Sequence, residues 1–539
     1  MEKLKCLFVS SEVAPYAKTG GLADVVGALP KELIKQGVDV RVAMPYYQGV
    51  RGKFEANEPV ANFPMQLDWR DQYVEVFEDK KEVTTYFFKD NFDNYFNREG
   101  LYGYDDDFER FAFFCKAVLE SFHWLDFYPD VIHCNDWQTG PICLLLKDKY
   151  SWRQEYKNIK TLFTIHNMKF QGIFPPYALD TLELTRSYLS PDKLEFNGGA
   201  SYMKAGLLYA DHITTVSPSY VDEIKTPDFG CGLDGLLRNQ LYWRLTGILN
   251  GIDLEEFNPE TDAKIWQNYG AKQINKKVVN KREFQKAYGL NQDDNTMMIA
   301  MITRLSDQKG LDLMKQVVED RWVMDKIMEL NVQFVVLGTG EEEYENMFKH
   351  FAHEYAGRAV YFPDFNVELS HKIYAASDAF LMPSAFEPCG LGQLIAMRYG
   401  SVPIVRKTGG LKDTVSHYNY ETREGRGFEF EEYNGYWLYQ KVKEASKCFD
   451  NNSNQPNGHY TQVQYNCMIS HFGWADSATK YLDLYNHILG RDGDLTEEVA
   501  EQDVTQEVNS TQNVVEENVS TQEVTGASET DTTNLFYPA

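Results

Sequence analysis

Short apolar runs alternate with helically spaced stretches along most of the chain. LKCLFVSSE (4–12) reads as a strand, KTGG interrupts it, and LADVVGALPKELIKQG (22–37) repeats its apolar residues at helical spacing until Gly37 stops it. VDVRVAMP (38–45) follows as a second parallel strand. VIHC (131–134), TLFTIHN (161–167) and HITTVSP (212–218) continue the series, separated by helix-like stretches such as FERFAFFCKAVLESFHWL (108–125). This alternation predicts a doubly wound α/β domain. After about residue 257 it restarts with MMIAMITRL, QFVVLGTG, AVYFPDF, AFLMPS and VPIVR, which predicts a second α/β domain. KTGGLADVV at 18–26 returns almost unchanged as KTGGLKDTV at 407–415, as expected of two similarly built halves facing one cleft.

Length changes this picture little, since 539 residues exceed what one hydrophobic core organises. The expected division is 1–257, 258–473, a short stretch at 474–490, and a tail from 491 to 539. That tail holds 12 acidic residues and one base, repeats TQEV, and carries too few large apolar groups to offset its ordering entropy, so disorder is expected. It accounts for 11 of the 27 net negative charges. The acidic balance excludes a general nucleic-acid binder, which needs clustered Lys and Arg. Eight cysteines without a CxxC pair indicate neither a zinc site nor a disulfide framework. The N-terminal apolar run is too short for a signal-peptide core and no segment reaches membrane-span length, so a cytoplasmic chain is expected.

The candidate chemistry sits at strand ends. Lys18, Thr19, Gly20 and Gly21 lie between a strand and a helix, where bare backbone amides can meet a phosphate or simply form a tight turn. Asp24 reads as a first-turn carboxylate complementing the helix dipole. Arg304 ends MMIAMITRL, and Lys309 follows five positions later. At the carboxyl edge of an open α/β sheet such cations can neutralise a leaving diphosphate without a metal, or they can be surface charges. Glu387, in SAFEPCGLGQL, can accept from sugar hydroxyls or cap a helix. His133, Asp136, His166 and Asn167 cluster at two further strand ends, where either histidine can equally be a satisfied core residue. No familiar metal-ligand spacing joins them, and the run Asp105, Asp106, Asp107 reads as a solvated acidic loop. No metal or cofactor is expected.

KTGGLADVVGALPKEL, HCNDWQTG, TIHNMKFQGIF, SYMKAGLLYADHITTVSPSY, GILNGID, TRLSDQKGLDL, LGTG, FEPCGLGQL and RKTGGLKDTV occur in the order seen in bacterial glycogen synthases and plant starch synthases, and the likeness spans roughly residues 3 to 488. The resemblance implies two Rossmann-like domains facing a cleft, the GT-B arrangement, with WADSATKYLDLYNHIL (474–489) crossing back to the first domain. It implies transfer of glucose from a nucleotide sugar, ADP-glucose or UDP-glucose, to an α-1,4-glucan with retention of configuration. It assigns Lys18, Gly20, Gly21 and Asp24 to the donor side and Arg304 and Lys309 to the diphosphate. Glu387 stands beside the glucose, Asp136 belongs to the H-x-x-D-W type motif, His166 lies near the donor's 6-hydroxyl, and Asn250 is the LNGID asparagine. Cys389, Gly390, Leu391 and Gly392 line the sugar site, with Cys389 expected to be accessible.

Two positions depart from the commonest pattern: Gly392 stands where many relatives have Thr, and Phe365 where some have a base-stacking Tyr. Ile395 replaces the second glutamate found in other retaining GT-B enzymes. The rival readings are a retaining transferase with another acceptor and a catalytically silent glucan-binding scaffold. Phosphorylase chemistry lacks a lysine-centred pyridoxal phosphate signature.

Overall fold

The computed structural model describes residues 3–53, 58–364, 366–452 and 458–491, which leaves Phe365 and the tail from 492 outside the described residues. Among these, nine strands form one sheet: β1 Lys5–Val9, β2 Asp39–Pro45, β3 Ala61–Leu67, β4 Arg70–Lys80, β5 Thr84–Asp90, β6 Val131–Asn135, β7 Lys160–Ile165, then β11 His212–Thr215 and β12 Leu245–Gly247. Between β7 and β11 lies a small sheet of β8 Ile173–Phe174, β9 Glu195–Phe196 and β10 Gly199–Ser201. The large sheet runs in the order β12-β11-β7-β6-β1-β2-β5-β4-β3. Every neighbouring pair from β12 to β5 is parallel, while β5-β4-β3 is an antiparallel meander.

The parallel strands coincide with the apolar runs because a sheet covered on both faces asks for continuous hydrophobicity. Strands β3 to β5 were not expected. β3 alternates buried and exposed along its length and β4 over its first half, so neither offers a continuous run, whereas β5 is buried at Thr85–Phe88 but is only a short apolar stretch between charged residues. Pro64 is tolerated because β3 is an edge strand.

The second lobe begins with β13 Met297–Ile302. A two-residue pair, β14 Val317–Val318 and β15 Arg321–Trp322, follows as a separate hairpin. Then come β16 Val332–Leu337, β17 Ala359–Phe362, β18 Ala379–Met382, β19 Val402–Arg406 and β20 Phe428–Phe430. Six of these form an all-parallel sheet ordered β17-β16-β13-β18-β19-β20, so the order reverses beside β13. Open α/β sheets bind ligands at such a reversal, outside the strand carboxyl ends.

Five helices matter for the site: α1 Gly21–Lys35, α2 Pro218–Ile224, α3 Gly392–Arg398, α4 Gly409–Thr414 and α5 Trp474–Ile488. Both sheets belong to one compact unit, Met1–Tyr485. The chain crosses between lobes at 248–253 and again near 473, and the crossings run side by side: Ile252 N donates to Phe472 O at 2.8 Å. A Cβ on Gly251 would stand 2.7 Å from the Gly473 backbone, so only glycine permits that approach. From Trp474 the chain lies on the first lobe. Ser477 Oγ donates to Leu249 O at 2.5 Å, and Tyr485 Oη meets His133 Nδ1 at 2.8 Å. No helix among the described residues is long and apolar enough to cross a membrane.

Candidate active site

A cavity of about 650 Å³ opens where the carboxyl ends of the two sheets face each other. Its wall includes Lys18, Gly20, Gly21, Asp24, Asp136, His166 and Asn250 from the first half of the sequence. Arg304, Lys309, Glu387, Cys389, Gly390, Leu391 and Gly392 come from the second. Every described residue that the resemblance assigns to the site therefore lines one space, and His133 does not.

The turn before α1 differs from the sequence expectation. The Thr19 and Gly20 amides do not face an empty phosphate site; they donate to Glu12 Oε2 at 2.5 and 3.1 Å. Thr19 Oγ1 donates to the other carboxylate oxygen at 2.6 Å, and Tyr102 Oη joins it at 2.8 Å. Glu12 is buried and also lines the cavity. Its Thr19 and Gly20 donors lie seven and eight positions away but Tyr102 lies 90 positions away, so spacing alone did not reveal the whole arrangement. Beside this turn, Lys18 Nζ meets Asp24 Oδ1 at 2.5 Å, so Asp24 holds the lysine in addition to occupying the first turn of α1. Burial raises the Asp24 carboxyl while Lys18 opposes the shift.

Asp136 directly follows β6 with φ 56° and ψ −179°, backbone that non-glycine residues adopt only under constraint from their surroundings. Its Oδ1 accepts from the His166 amide at 2.7 Å. Burial pushes the carboxyl up to about 7, against the pull of the His166 and Asn167 amides.

The His166 tautomer follows from its neighbour. Asn135 Nδ2 donates to Val9 O and His133 O, so Asn135 Oδ1 is an acceptor and the His166 Nε2 that lies 2.9 Å from it carries the proton. Burial pulls His166 down to about 3, so the ring is neutral and Nδ1 keeps a lone pair. His133 is a core residue instead, held by Tyr485 and Thr164.

In the second lobe, Lys309 Nζ pairs with Glu387 Oε2 at 2.6 Å, and Ser384 Oγ donates to the same oxygen at 3.1 Å. Glu387 caps no helix, because α3 starts five residues later with Leu391 as its N-cap. Arg304 is exposed at the cavity wall. Asn250 is buried, and its Oδ1 has no hydrogen-bond partner among the described residues; Gln138 Oε1, also at the wall, is in the same position. Buried polar atoms of this kind call for a partner that a ligand can supply.

Two expectations are corrected. Cys389 is 4% exposed rather than accessible, and burial raises its thiol to about 12. The aspartate run is solvated at Asp105 alone: Asp106 takes a bidentate pair from Arg98, and buried Asp107 pairs with fully buried Arg110.

Comparison with known proteins bears on the same residues. A starch synthase catalytic domain matches residues 5–239, and the glycosyl transferases group 1 domain matches residues 280–452. Glycogen synthase of Clostridium botulinum is 46% identical over 493 residues, 90% of this chain and all of that one. Glycogen synthase of Bacillus cereus is 45% identical over 490 residues, again 90% of this chain and all of the relative. Among solved structures, the catalytic domain of starch synthase IV from Arabidopsis thaliana, bound to ADP and acarbose, matches with a TM-score of 0.81 and 30% identity over 91% of this chain and all of that chain. Sucrose-phosphate synthase from Thermosynechococcus elongatus shares the fold, with a TM-score of 0.56 at 17% identity. The two-sheet architecture is thus the GT-B fold, and the chain belongs to the glycogen synthase and starch synthase family of hexosyltransferases.

Proposed function

We propose that this enzyme lengthens the non-reducing end of an α-1,4-glucan with glucose from ADP-glucose, retaining the α configuration and working in the cytoplasm. One observation carries the reading: Lys18 and Arg304, from different lobes, line the same cavity as Glu387. Lys18, Arg304 and Lys309 hold the diphosphate. Glu387 accepts from hexose hydroxyls, and the His166 Nδ1 lone pair accepts from the 6-hydroxyl. Asn250 contributes its unpartnered carbonyl, while Gly20, Gly21, Cys389, Gly390, Leu391 and Gly392 close around the donor. Phe365 lies outside the described residues and is given no role.

In the reaction the bond from C1 to the diphosphate oxygen breaks as the acceptor's 4-oxygen bonds to C1 on the same face. The acceptor proton passes to the departing phosphate oxygen. Cations already in place where that charge develops supply most of the rate, in a cleft that excludes water. Asp136, beside His166, sits where its carboxyl can orient the incoming sugars. The boundary between the two domains is placed at 257/258, with 474–490 returning to the first domain.

ADP is favoured over UDP because the starch synthase structure it resembles holds ADP. Incubation with ADP-glucose or UDP-glucose and a short maltooligosaccharide tests the whole reading. Extension with ADP-glucose, undiminished by a chelator, is expected; extension by UDP-glucose alone, or none, contradicts it.

A further inference from the structure

The two KTGGL strings have different partners. In the first, Thr19 and Gly20 donate to Glu12 of their own lobe. In the second, Thr408 Oγ1 and Gly409 N donate to Glu223 Oε1 at 2.7 and 2.8 Å, and Glu223 belongs to α2 of the other lobe. The matching aspartates diverge in the same way. Asp24 pairs with Lys18, whereas Asp413 of α4 accepts from Ser219 N at 2.8 Å and Ser219 Oγ at 2.6 Å, at the start of α2.

Helices α2 and α4 therefore cap each other across the cleft, each setting a carboxylate from its later residues on the amides that open its partner. A carboxylate there satisfies orphan N–H groups and meets the positive end of the helix dipole. Glu223 Oε2 is buried without a hydrogen-bond partner among the described residues, so the carboxylate depends on the Gly409 amide, the Thr408 hydroxyl and the nearby Arg406 charge.

The same contact reaches the turn that carries Glu387. Ser217 Oγ, just before α2, donates to Pro388 O at 2.5 Å. Gly410 N donates to Glu387 O at 3.0 Å. A Cβ on Gly409 would lie 2.0 Å from Glu387 O, and one on Gly410 would lie 2.1 Å from Cys389 O. The paired glycines thus let α4 rest directly on the backbone of residues 387–389. Ser219, Glu223 and Asp413 do not line the cavity.

We propose that the second KTGGL string is an interlobe clamp, in which Ser219, Glu223 and Asp413 are positioning residues that hold the Glu387 turn in register with the first lobe. The proposal rests on the glucosyl-transfer reading for its kinetic arm only. Misplacing a catalytic group by an ångström costs on the order of hundredfold in rate, so loosening the clamp acts on turnover before it acts on donor binding.

The test uses the full chain with Asp413→Ala, Glu223→Ala, their combination and the conservative Glu223→Gln, which keeps an acceptor oxygen. Each alanine variant is expected to lower kcat about tenfold or more with little change in donor KM. The combination should be hardly worse than the poorer single variant, because both act on one contact. Glu223→Gln should recover most of the rate. Turnover within about twofold of the natural chain in both alanine variants overturns the clamp, whatever happens to melting.

Where an alanine variant does not fold, Ser219→Ala removes only a hydroxyl, and the same kcat-against-KM split decides. Hydrogen exchange provides an arm that needs no activity. Asp413→Ala should speed exchange in peptides covering 217–220 and 386–391, on both lobes. Faster exchange at 217–220 alone overturns the coupling. A natural chain that extends no glucan contradicts the proposed function, while exchange on both lobes still reads the clamp.

Discussion

Lys309 and Glu387 hold each other at 2.6 Å, so a diphosphate entering the cavity must share the lysine with a carboxylate already in place. That arrangement keeps the cation aimed at one point, and pre-organised charge is what stabilises a leaving group. Lys309→Ala is expected to lower kcat about hundredfold. A weaker donor KM at unchanged kcat would contradict the leaving-group role. Asp136 gives a pH signature. Its folded value, about 7, lies above the ordinary carboxylate value, so the folded chain binds this proton more tightly than the unfolded chain. The stabilisation is complete below about pH 4 and is lost as pH rises through about 7. Asp136→Asn keeps an oxygen for the His166 amide and removes the titration. Its melting temperature should therefore improve relative to the natural chain between pH 5 and pH 8, as followed by circular dichroism; an equal difference at both pH values contradicts the buried-acid account. Residues lying inside contiguous motifs, such as Lys18, His166 and Glu387, were legible in the sequence. Glu12 and Tyr102 were not, because their contact forms only when the chain brings distant positions together. The accessibility of Cys389 was misjudged for a related reason, since its backbone hydrogen-bond partner Asn250 comes from the crossing at 248–253, far away in sequence.

At the scale of elements, the parallel strands could be read directly, because burial on both faces forces unbroken apolar runs such as VIHC and MMIAMI. In the meander, β3 and the first half of β4 alternate buried and exposed positions among charged residues, and the buried run of β5 is short, so neither signal stood out. Helix α5 shows how an element expected from the family resemblance acquires a specific role through one hydroxyl. Tyr485 Oη satisfies one ring nitrogen of buried His133, and Thr164 satisfies the other. Tyr485→Phe preserves shape and leaves that nitrogen unpaired, which costs about 1–3 kcal/mol. Urea unfolding should show the loss as a lower midpoint at unchanged slope; an unchanged midpoint would mean that the contact carries no stability.

For the whole molecule, two α/β halves joined by paired crossings at Ile252 and Gly473 make lobe closure the natural motion around a donor. Two halves and a shared cleft were legible from the restarted pattern and the repeated KTGGL. The different use of its two copies was not, because identical strings met different carboxylates. The acidic segment from 492 onward lies outside the described residues, and its removal is expected to leave the rate of glucan extension within about twofold. A collapse of activity would make it part of the enzyme. Convergence of cations from both lobes on one diphosphate is read out by ADP affinity in a double-mutant cycle of Lys18→Ala and Arg304→Ala. Each variant should bind ADP about tenfold or more weakly, and the two losses should not be independent. Unchanged ADP affinity in Lys18→Ala, with the whole loss in Arg304→Ala, would contradict it.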